Sequence, residues 1–286
     1  MGELRDRMVR DMEVRNFSPR TIEAYVPWVR DLAKHYMRAP DQLTDDEVQN
    51  YLLQLHSQRK LASSTCNQAY AALKFFYAVT VRRSHASLLV PVRRGEQKLP
   101  EILSCQEVER IIEASANLRH RVLLMATYSG GLRVSEAVAL RPADIDVERG
   151  VIRIEQGKGR KDRYTVLSER LVRELSGYYR VYGTAEHWVF WRPSQPAKHL
   201  DVSTAQKTYT AAKRRAGVQK RGGIHALRHA FATHSLEAGL DLPTLGRMLG
   251  HTSISTTMRY VHTTTKRLSA QISPLDRLVL ASLPQQ

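Results

Sequence analysis

The chain is poor in cysteine, short of acid and without a long apolar run, and each shortage removes a class of protein. Two cysteines, Cys66 and Cys105, occur in 286 residues. They are too few for a disulfide framework and fit a reducing compartment. No apolar stretch approaches the roughly 18 residues a spanning helix needs, and no basic-then-apolar leader opens the chain, so a cytoplasmic protein with no membrane partner is expected. There is no Gly-x-x-x-x-Gly-Lys-Ser/Thr, hence no predicted nucleotide cradle. His225 and His229 have metal-ligand spacing, but the Glu of His-Glu-x-x-His is missing and spacing sets no third ligand, which argues against zinc. Acid is scarce against base: 28 Asp+Glu face 44 Lys+Arg, a formal charge of +16. That surplus suits a polyanion, bound largely by counterion release and released by salt. The length suffices for two domains with real cores.

Residues 1–83 read as helices with almost no strand. Leu4, Met8 and Met12, then Ile22, Tyr25, Val26, Val29, Leu32 and Ala33, recur at helical spacing, with Ser18 and Pro19 as a start signal between the two stripes. Thr44 and Glu47 have capping-box spacing ahead of Val48, Tyr51, Leu52 and Leu55. Ser63 and Ser64 open a helix through Tyr70, Leu73, Phe76 and Tyr77. Four helices are predicted, with Trp28, Tyr70 and Phe76 in their core. Residues 84–100 turn polar and basic, with Pro91, Gly95 and Pro100 as breakers, and read as a linker. A second domain follows over 101–286, opened by a helix over 107–116.

Three stretches of that second domain carry chemistry. In Tyr-Ser-Gly-Gly-Leu-Arg-Val-Ser-Glu, 128–136, Arg133 follows a glycine turn at the start of a helix whose Val134, Ala137, Val138 and Leu140 face a core. Glu136, three residues on, is spaced to hold that arginine. Alternation over 151–155, resuming at Tyr164, predicts a β-hairpin with Lys158 in its glycine-flanked loop. Over 222–239, Ile224, Leu227 and Phe231 mark a helix stopped by Gly239, and His225 and Arg228 share its face near the N-terminus, where an anion is favoured. Leu242, Leu245, Met248 and Leu249 mark the next helix, which ends at Gly250 and frees His251 into a turn. Tyr260 comes nine residues later.

Arg133, Lys158, His225, Arg228, His251 and Tyr260 together form a candidate metal-free site for attack on a phosphodiester. A tyrosine hydroxyl is a weak nucleophile at neutral pH, so fixed donors must stabilise the charge that develops. Two arginines offer bidentate forks to non-bridging oxygens. A lysine whose pKa is lowered by neighbouring cations can protonate a leaving oxygen, and histidines can donate hydrogen bonds or shuttle the tyrosine proton. Each residue alone has a plainer reading: Arg133 as a solvated helix residue, Tyr260 as one of twelve tyrosines. Tyr128, Tyr164 and Tyr209 are set aside because none follows a Leu-Gly-His turn at this distance, and Lys161 because Lys158 has the two flanking glycines. His229, His234 and His262 are assigned supporting, structural places.

Gly-Leu-Arg-Val-Ser-Glu at 131–136, His-Ala-Leu-Arg-His at 225–229, Leu-Gly-His at 249–251 and the spacing to Tyr260 together resemble the tyrosine recombinase (phage integrase) family. The resemblance implies Arg133 and Arg228 as the phosphate clamp, Lys158 as the hairpin-loop general acid, His225 and His251 as phosphate- and proton-handling residues, and Tyr260 as the nucleophile. Tyr260 would join a DNA 3′ phosphate and free a 5′ hydroxyl, with no cofactor and no metal. The implied fold is mainly α with a small antiparallel β-sheet (α+β): a helical core-binding (SAM-like) domain over 1–83, matched notably at 18–25, and a catalytic domain with a C-terminal tail over 101–286, the two closing on a duplex. The implied partners are double-stranded recombination sites and further copies of the chain, a dimer on each site and a tetramer in synapsis.

The resemblance further implies that the tail after about residue 264 is exchanged between subunits on DNA. The plainer alternative packs Leu275, Leu278 and Leu280 on their own domain. Residues 18–77 and 273–277 resemble integron integrases, but 178–217 is too short for their extra helical insertion, which favours double-stranded over folded single-stranded sites. The expected function is integration, excision or resolution of a mobile element. The alternatives are Xer-like resolution of chromosome or plasmid dimers, a type IB topoisomerase sharing the phosphotyrosine chemistry, and a DNA-binding protein without chemistry, which would need the charge but not Tyr260.

Overall fold

The computed structural model describes residues 2–83, 101–155, 162–184, 186–251, 253–258 and 260–261. They fall into two compact units divided between Lys98 and Leu99. The predicted linker over 84–100, the hairpin loop with Lys158 and Lys161, His262, and the tail with Leu275, Leu278 and Leu280 lie outside the described residues. The fold is mainly α-helical with small antiparallel sheets. Among the described residues no helix is long and apolar enough to cross a membrane.

The first unit is built from α1 (Gly2–Val14), α2 (Pro19–Tyr36), a short 3₁₀ turn, α3 (Asp45–Ser57) and α4 (Ser63–Phe75). Its start signals act as local chemistry dictates. The Ser18 hydroxyl accepts the N–H of Thr21 at 3.2 Å ahead of Pro19. Thr44 and Glu47 exchange capping bonds, Glu47 N–H to Thr44 Oγ1 at 3.3 Å and Thr44 N–H to Glu47 Oε2 at 2.8 Å. Met8, Met12, Leu32, Tyr51, Leu55, Leu73 and Phe76 fill the core. Trp28 and Tyr70 are half-buried against it rather than inside it. The predicted continuation of α4 through Tyr77 changes period, because Phe76–Val81 form a π-helical turn whose wider spacing puts Phe76, Tyr77 and Thr80 all inside.

The second unit opens with α5 (Cys105–Glu113), earlier than predicted. Ser104 and Glu107 form a capping box, so Glu107 is the third helical residue rather than the first. α6 (Leu118–Ser129) is buried from Val122 to Thr127 and packs against α7 (Val134–Val138), α8 (Glu169–Tyr182), α9 (Val202–Arg215) and α10 (His225–Glu237). β1 (Ile145–Asp146), β2 (Val151–Ile154) and β3 (Arg163–Val166) form one antiparallel sheet in that order, with Ile152 opposite Thr165 and Ile154 opposite Arg163. β4 (Trp191–Arg192) and β5 (Gln195–His199) form a second antiparallel pair. α11 (Leu242–Leu249) packs on β3 and on the short α12 (Ile254–Met258). Gly239 is the stop predicted for α10: it follows Ala238 with φ +101°, its N–H donates to Leu236 O at 3.0 Å, and the Leu240 N–H reaches back to Ser235 O at 3.0 Å.

Candidate active site

The site starts at the glycine turn after α6. Gly131 has φ +58°, and a Cβ there would fall 2.3 Å from the Phe231 ring, so both the backbone angle and the approach of α10 require glycine. The turn leaves Arg133 as the extended residue preceding α7, with φ −67° and ψ 149°. Glu136, three residues on, accepts the Arg133 backbone N–H at 2.7 Å and its Nη1 at 2.8 Å. The same carboxylate is gripped from β3 by Arg163, Nη1 at 2.9 Å and Nη2 at 2.6 Å. Burial pushes the Glu136 carboxyl up, but the bonds and charge of Arg163, then those of Arg133, outweigh it and hold the group below the usual carboxylate range.

Three guanidiniums meet three successive carbonyls at the C-terminus of α11. Arg163 Nε donates to Met248 O at 2.8 Å, Arg228 Nη2 to Leu249 O at 2.7 Å, and Arg133 Nη2 to Gly250 O at 3.3 Å. A helix C-terminus has unsatisfied carbonyls and the negative end of its dipole, so cations are favoured there. Gly250, at φ +64°, then turns the chain out of the helix and delivers His251.

Arg228 lies on α10, 5% exposed, with Nη1 donating to Gly131 O at 2.7 Å. Burial first, then the Arg133 charge, lowers its pKa to about 10, which still leaves it cationic at neutral pH. His225 is the exposed first residue of the same helix. Partial desolvation, then Arg228 and Arg133, push its imidazole below the usual histidine value, so it is neutral at pH 7.

Tyr260 is 6% exposed and belongs to a small core with Phe231, Leu236, Leu245 and Leu249. Its ring lies parallel to that of His251, 8° apart with centroids at 6.3 Å. His251 Nε2 is 3.4 Å from Arg228 Nη2, and its Nδ1 is 2.9 Å from Thr257 Oγ1. A guanidinium only donates, so Nε2 is the accepting nitrogen and Nδ1–H donates to Thr257. On the other side, the Tyr260 hydroxyl is 3.0 Å from His229 Nδ1, with the rings 5.7 Å apart.

Thus Arg133, Arg228, His251 and Tyr260 share one contact network, and His225 stands at the N-terminus of the helix that carries Arg228. Lys158 falls outside the described residues. Two participants escaped the sequence reading. Arg163 shares its strand face with the buried Thr165, so the alternation that predicted the hairpin also implied an inward-facing charge there. His229 is four residues after His225, one helical turn along the same face, but was assigned a structural place. The set-aside tyrosines have other surroundings. Burial pushes Tyr128 and Tyr209 up to about 12, and Tyr164 is half exposed on β3. Among the described residues no group of three His, Cys, Asp or Glu is placed to hold a metal ion.

The chain is similar in sequence and in fold to known proteins. Residues 101–267 match the phage integrase family, and residues 4–86 match the phage integrase N-terminal SAM-like domain. The Sinorhizobium fredii protein y4qK is 40% identical over 280 residues, covering 97% of this chain and 90% of its own length. Tyrosine recombinase XerC of Pelobacter propionicus is 34% identical over 272 residues, covering 89% of this chain and 88% of its own. The XerH site-specific recombinase, solved on a palindromic difH substrate as a post-cleavage complex, shares the fold with a TM-score of 0.72 at 22% identity, over 89% of this chain and 80% of that one. On these matches, the chain belongs to the phage integrase family of tyrosine recombinases.

Proposed function

We propose that this protein is a site-specific recombinase of double-stranded DNA that works through a 3′-phosphotyrosine at Tyr260. The observation that carries the reading is the convergence on one tyrosine ring: His251 lies parallel to it and touches Arg228, while Arg228 and Arg133 are fixed by the same helix end. In the cleavage step Tyr260 Oη bonds to phosphorus and the bond from phosphorus to the 5′ oxygen breaks. Arg133 and Arg228 hold the non-bridging oxygens through N–H donors left over from their protein contacts. His225, neutral when DNA is absent, gains a reason to be charged beside a phosphate. Lys158 protonates the departing 5′ oxygen. Rejoining reverses the step with a partner strand's 5′ hydroxyl, so the bond energy is conserved and neither metal nor ATP is consumed.

The domains divide the work: residues 1–83 as the core-binding domain, 84–100 as linker, and 101–286 as the catalytic domain and tail. The charge of +16 supports a duplex partner. The palindromic substrate of XerH supports two protomers on a two-fold site. A tetramer in synapsis, with tail segments after about residue 264 exchanged, follows in the cytoplasm on integration, excision or resolution of a mobile element. The 34% identity to a XerC favours one second reading, resolution of chromosome or plasmid dimers.

The test is covalent trapping on nicked duplexes cut from sequence flanking the gene, with wild type and Tyr260→Phe compared on a denaturing gel. The expected result is a protein–DNA band in the wild type alone. A band that persists in Tyr260→Phe moves the nucleophile elsewhere. Binding without a band in either protein favours a non-catalytic DNA-binding role.

A further inference from the structure

The family resemblance gives proton handling to His225 and His251 without saying which group receives the Tyr260 phenol proton, and the groups near the hydroxyl differ in their capacity to take it. Arg133 and Arg228 can only donate. Glu136 is engaged by the guanidiniums of Arg133 and Arg163. The accepting nitrogen of His251 is turned to Arg228, and its other nitrogen to Thr257. His229 differs: its Nδ1 is 3.0 Å from the Tyr260 oxygen, within the range a general base needs. Resting on the assignment of Tyr260 as nucleophile, we propose that His229 is the catalytic base that takes the phenol proton as the oxygen attacks phosphorus and returns it when the strand is rejoined.

The placement is fixed from both sides. His229 is the residue after Arg228 on α10, so one helical turn carries a phosphate donor and a proton acceptor whose separation is set by the backbone. The Tyr260 ring is wedged among Phe231, Leu236, Leu245 and Leu249, which limits where its hydroxyl can go. This role requires the hydroxyl to donate to the Nδ1 lone pair at rest, with His229 carrying its own proton on Nε2. A phenol is far less acidic than an imidazolium, so transfer does not occur at rest. It proceeds as the Oη–P bond forms, because electron withdrawal by phosphorus acidifies the phenol.

The balance is closed. The Oη–H proton passes to Nδ1, the Oη–P bond forms, the bond from phosphorus to the 5′ oxygen breaks, and that oxygen takes a proton from the acid. The imidazolium so formed lies beside Arg228, and the extra negative charge on the phosphoryl oxygens in the transition state offsets that crowding of cations. On rejoining, the 5′ hydroxyl returns its proton to the deprotonated acid as its oxygen attacks phosphorus, the Oη–P bond breaks, and Nδ1–H protonates the leaving phenolate.

His229→Gln tests this, because a glutamine oxygen can accept the hydroxyl hydrogen bond but cannot carry the proton. The full-length variant is expected to bind duplex DNA as the wild type does and to form the phosphotyrosine about 10²- to 10⁴-fold more slowly. Replacing Tyr260 with a fluorinated tyrosine, whose phenol ionises more readily, is expected to recover much of that loss. A substrate with sulfur at the 5′ bridging position, whose leaving group needs no proton, is expected to leave it unrecovered.

Three results overturn the proposal while sparing the nucleophile. They are an unchanged rate in His229→Gln, a faster rate, which would make the contact a resting latch, and a slow rate that fluorotyrosine does not improve, which would make His229 a positioning residue. His229→Asn carries the same expectations if the glutamine variant does not fold. A covalent band in Tyr260→Phe instead removes the underlying assignment.

Discussion

Glu136→Gln removes one charge from the centre of the site while leaving its shape nearly unchanged. The carboxylate accepts four hydrogen bonds, at 2.7 and 2.8 Å from Arg133 and at 2.9 and 2.6 Å from Arg163, and a third guanidinium, that of Arg228, lies 3.9 Å away. Its side chain is 13% exposed and that of Arg163 is 6% exposed. An ion pair at about 4 Å gains on the order of 4 kcal/mol at an effective dielectric near 20, against a desolvation cost of several kcal/mol per ion. Breaking such a pair by removing one partner costs about 3–5 kcal/mol. Arg133 is 28% exposed, so water replaces part of its loss and the low end applies, about 3 kcal/mol at pH 7.

The pH dependence has a definite sign. The folded pKa is below the unfolded one, so the stabilisation is fully present above the ordinary carboxylate value near 4.3 and is lost as pH falls through the lowered folded value. The gap between wild type and variant is therefore flat from about pH 8 to pH 5 and closes in more acidic solution. Urea unfolding read by tryptophan emission in a Trp28→Phe background reports the second unit alone, through Trp188 and Trp191. A loss of about 3 kcal/mol corresponds to roughly 10 °C in thermal midpoint for a unit of this size. A loss under about 1 kcal/mol at pH 7, or a gap that stays constant below pH 4, refutes the argument that Glu136 is the counter-charge on which the arginines depend.

Gly131→Ala places a methyl group against the Phe231 ring on a backbone at φ +58°, and is expected to cost about 2–4 kcal/mol in the same urea experiment; a cost under about 1 kcal/mol would mean that α10 does not press on the glycine turn. Cys105 is exposed and Cys66 buried, so one thiol per chain should react with an aromatic disulfide reagent in the native protein and two in denaturant. Two fast thiols in the native protein would contradict the packing of α4.

What was legible in the sequence is what chemistry fixes within a few residues. Thr44 with Glu47, and Arg133 with Glu136, are pairs three apart whose bonding follows from the geometry of a first helical turn. Ser104 and Glu107 obey the same rule, but reading Glu107 as the start of its helix hid the cap. Gly250 announced the turn that frees His251, because a left-handed residue after an apolar stripe ends a helix. Arg163 was illegible as a site residue because Glu136 is 27 positions away in sequence and Met248 is 85 away, so their meeting depends on α11 packing against β3. β1, β4 and β5 are too short, or too evenly exposed, to show a period. His229 failed for a different reason. Its spacing placed it on the right face, but nothing local could say that Tyr260, 31 residues later, folds back onto it.

The arrangement also explains how three arginines can be held close together in the folded chain. Unopposed guanidiniums this close would repel one another and loosen the turn that carries His251. Glu136 neutralises one charge, and the end of α11 supplies three aligned carbonyls, one for each arginine. The net cation that remains is held rigidly, and electrostatic stabilisation of a transition state depends on donors that need not reorganise when charge develops. The same carbonyls link parts far apart in the chain: Arg163 at the base of the β2–β3 hairpin, Arg133 after the glycine turn, and Arg228 on α10 all meet on the residues just before His251. Any movement of the hairpin base is therefore felt at Met248, three residues from the histidine that lies against Tyr260, and Tyr260 and the three guanidiniums share one mechanical frame.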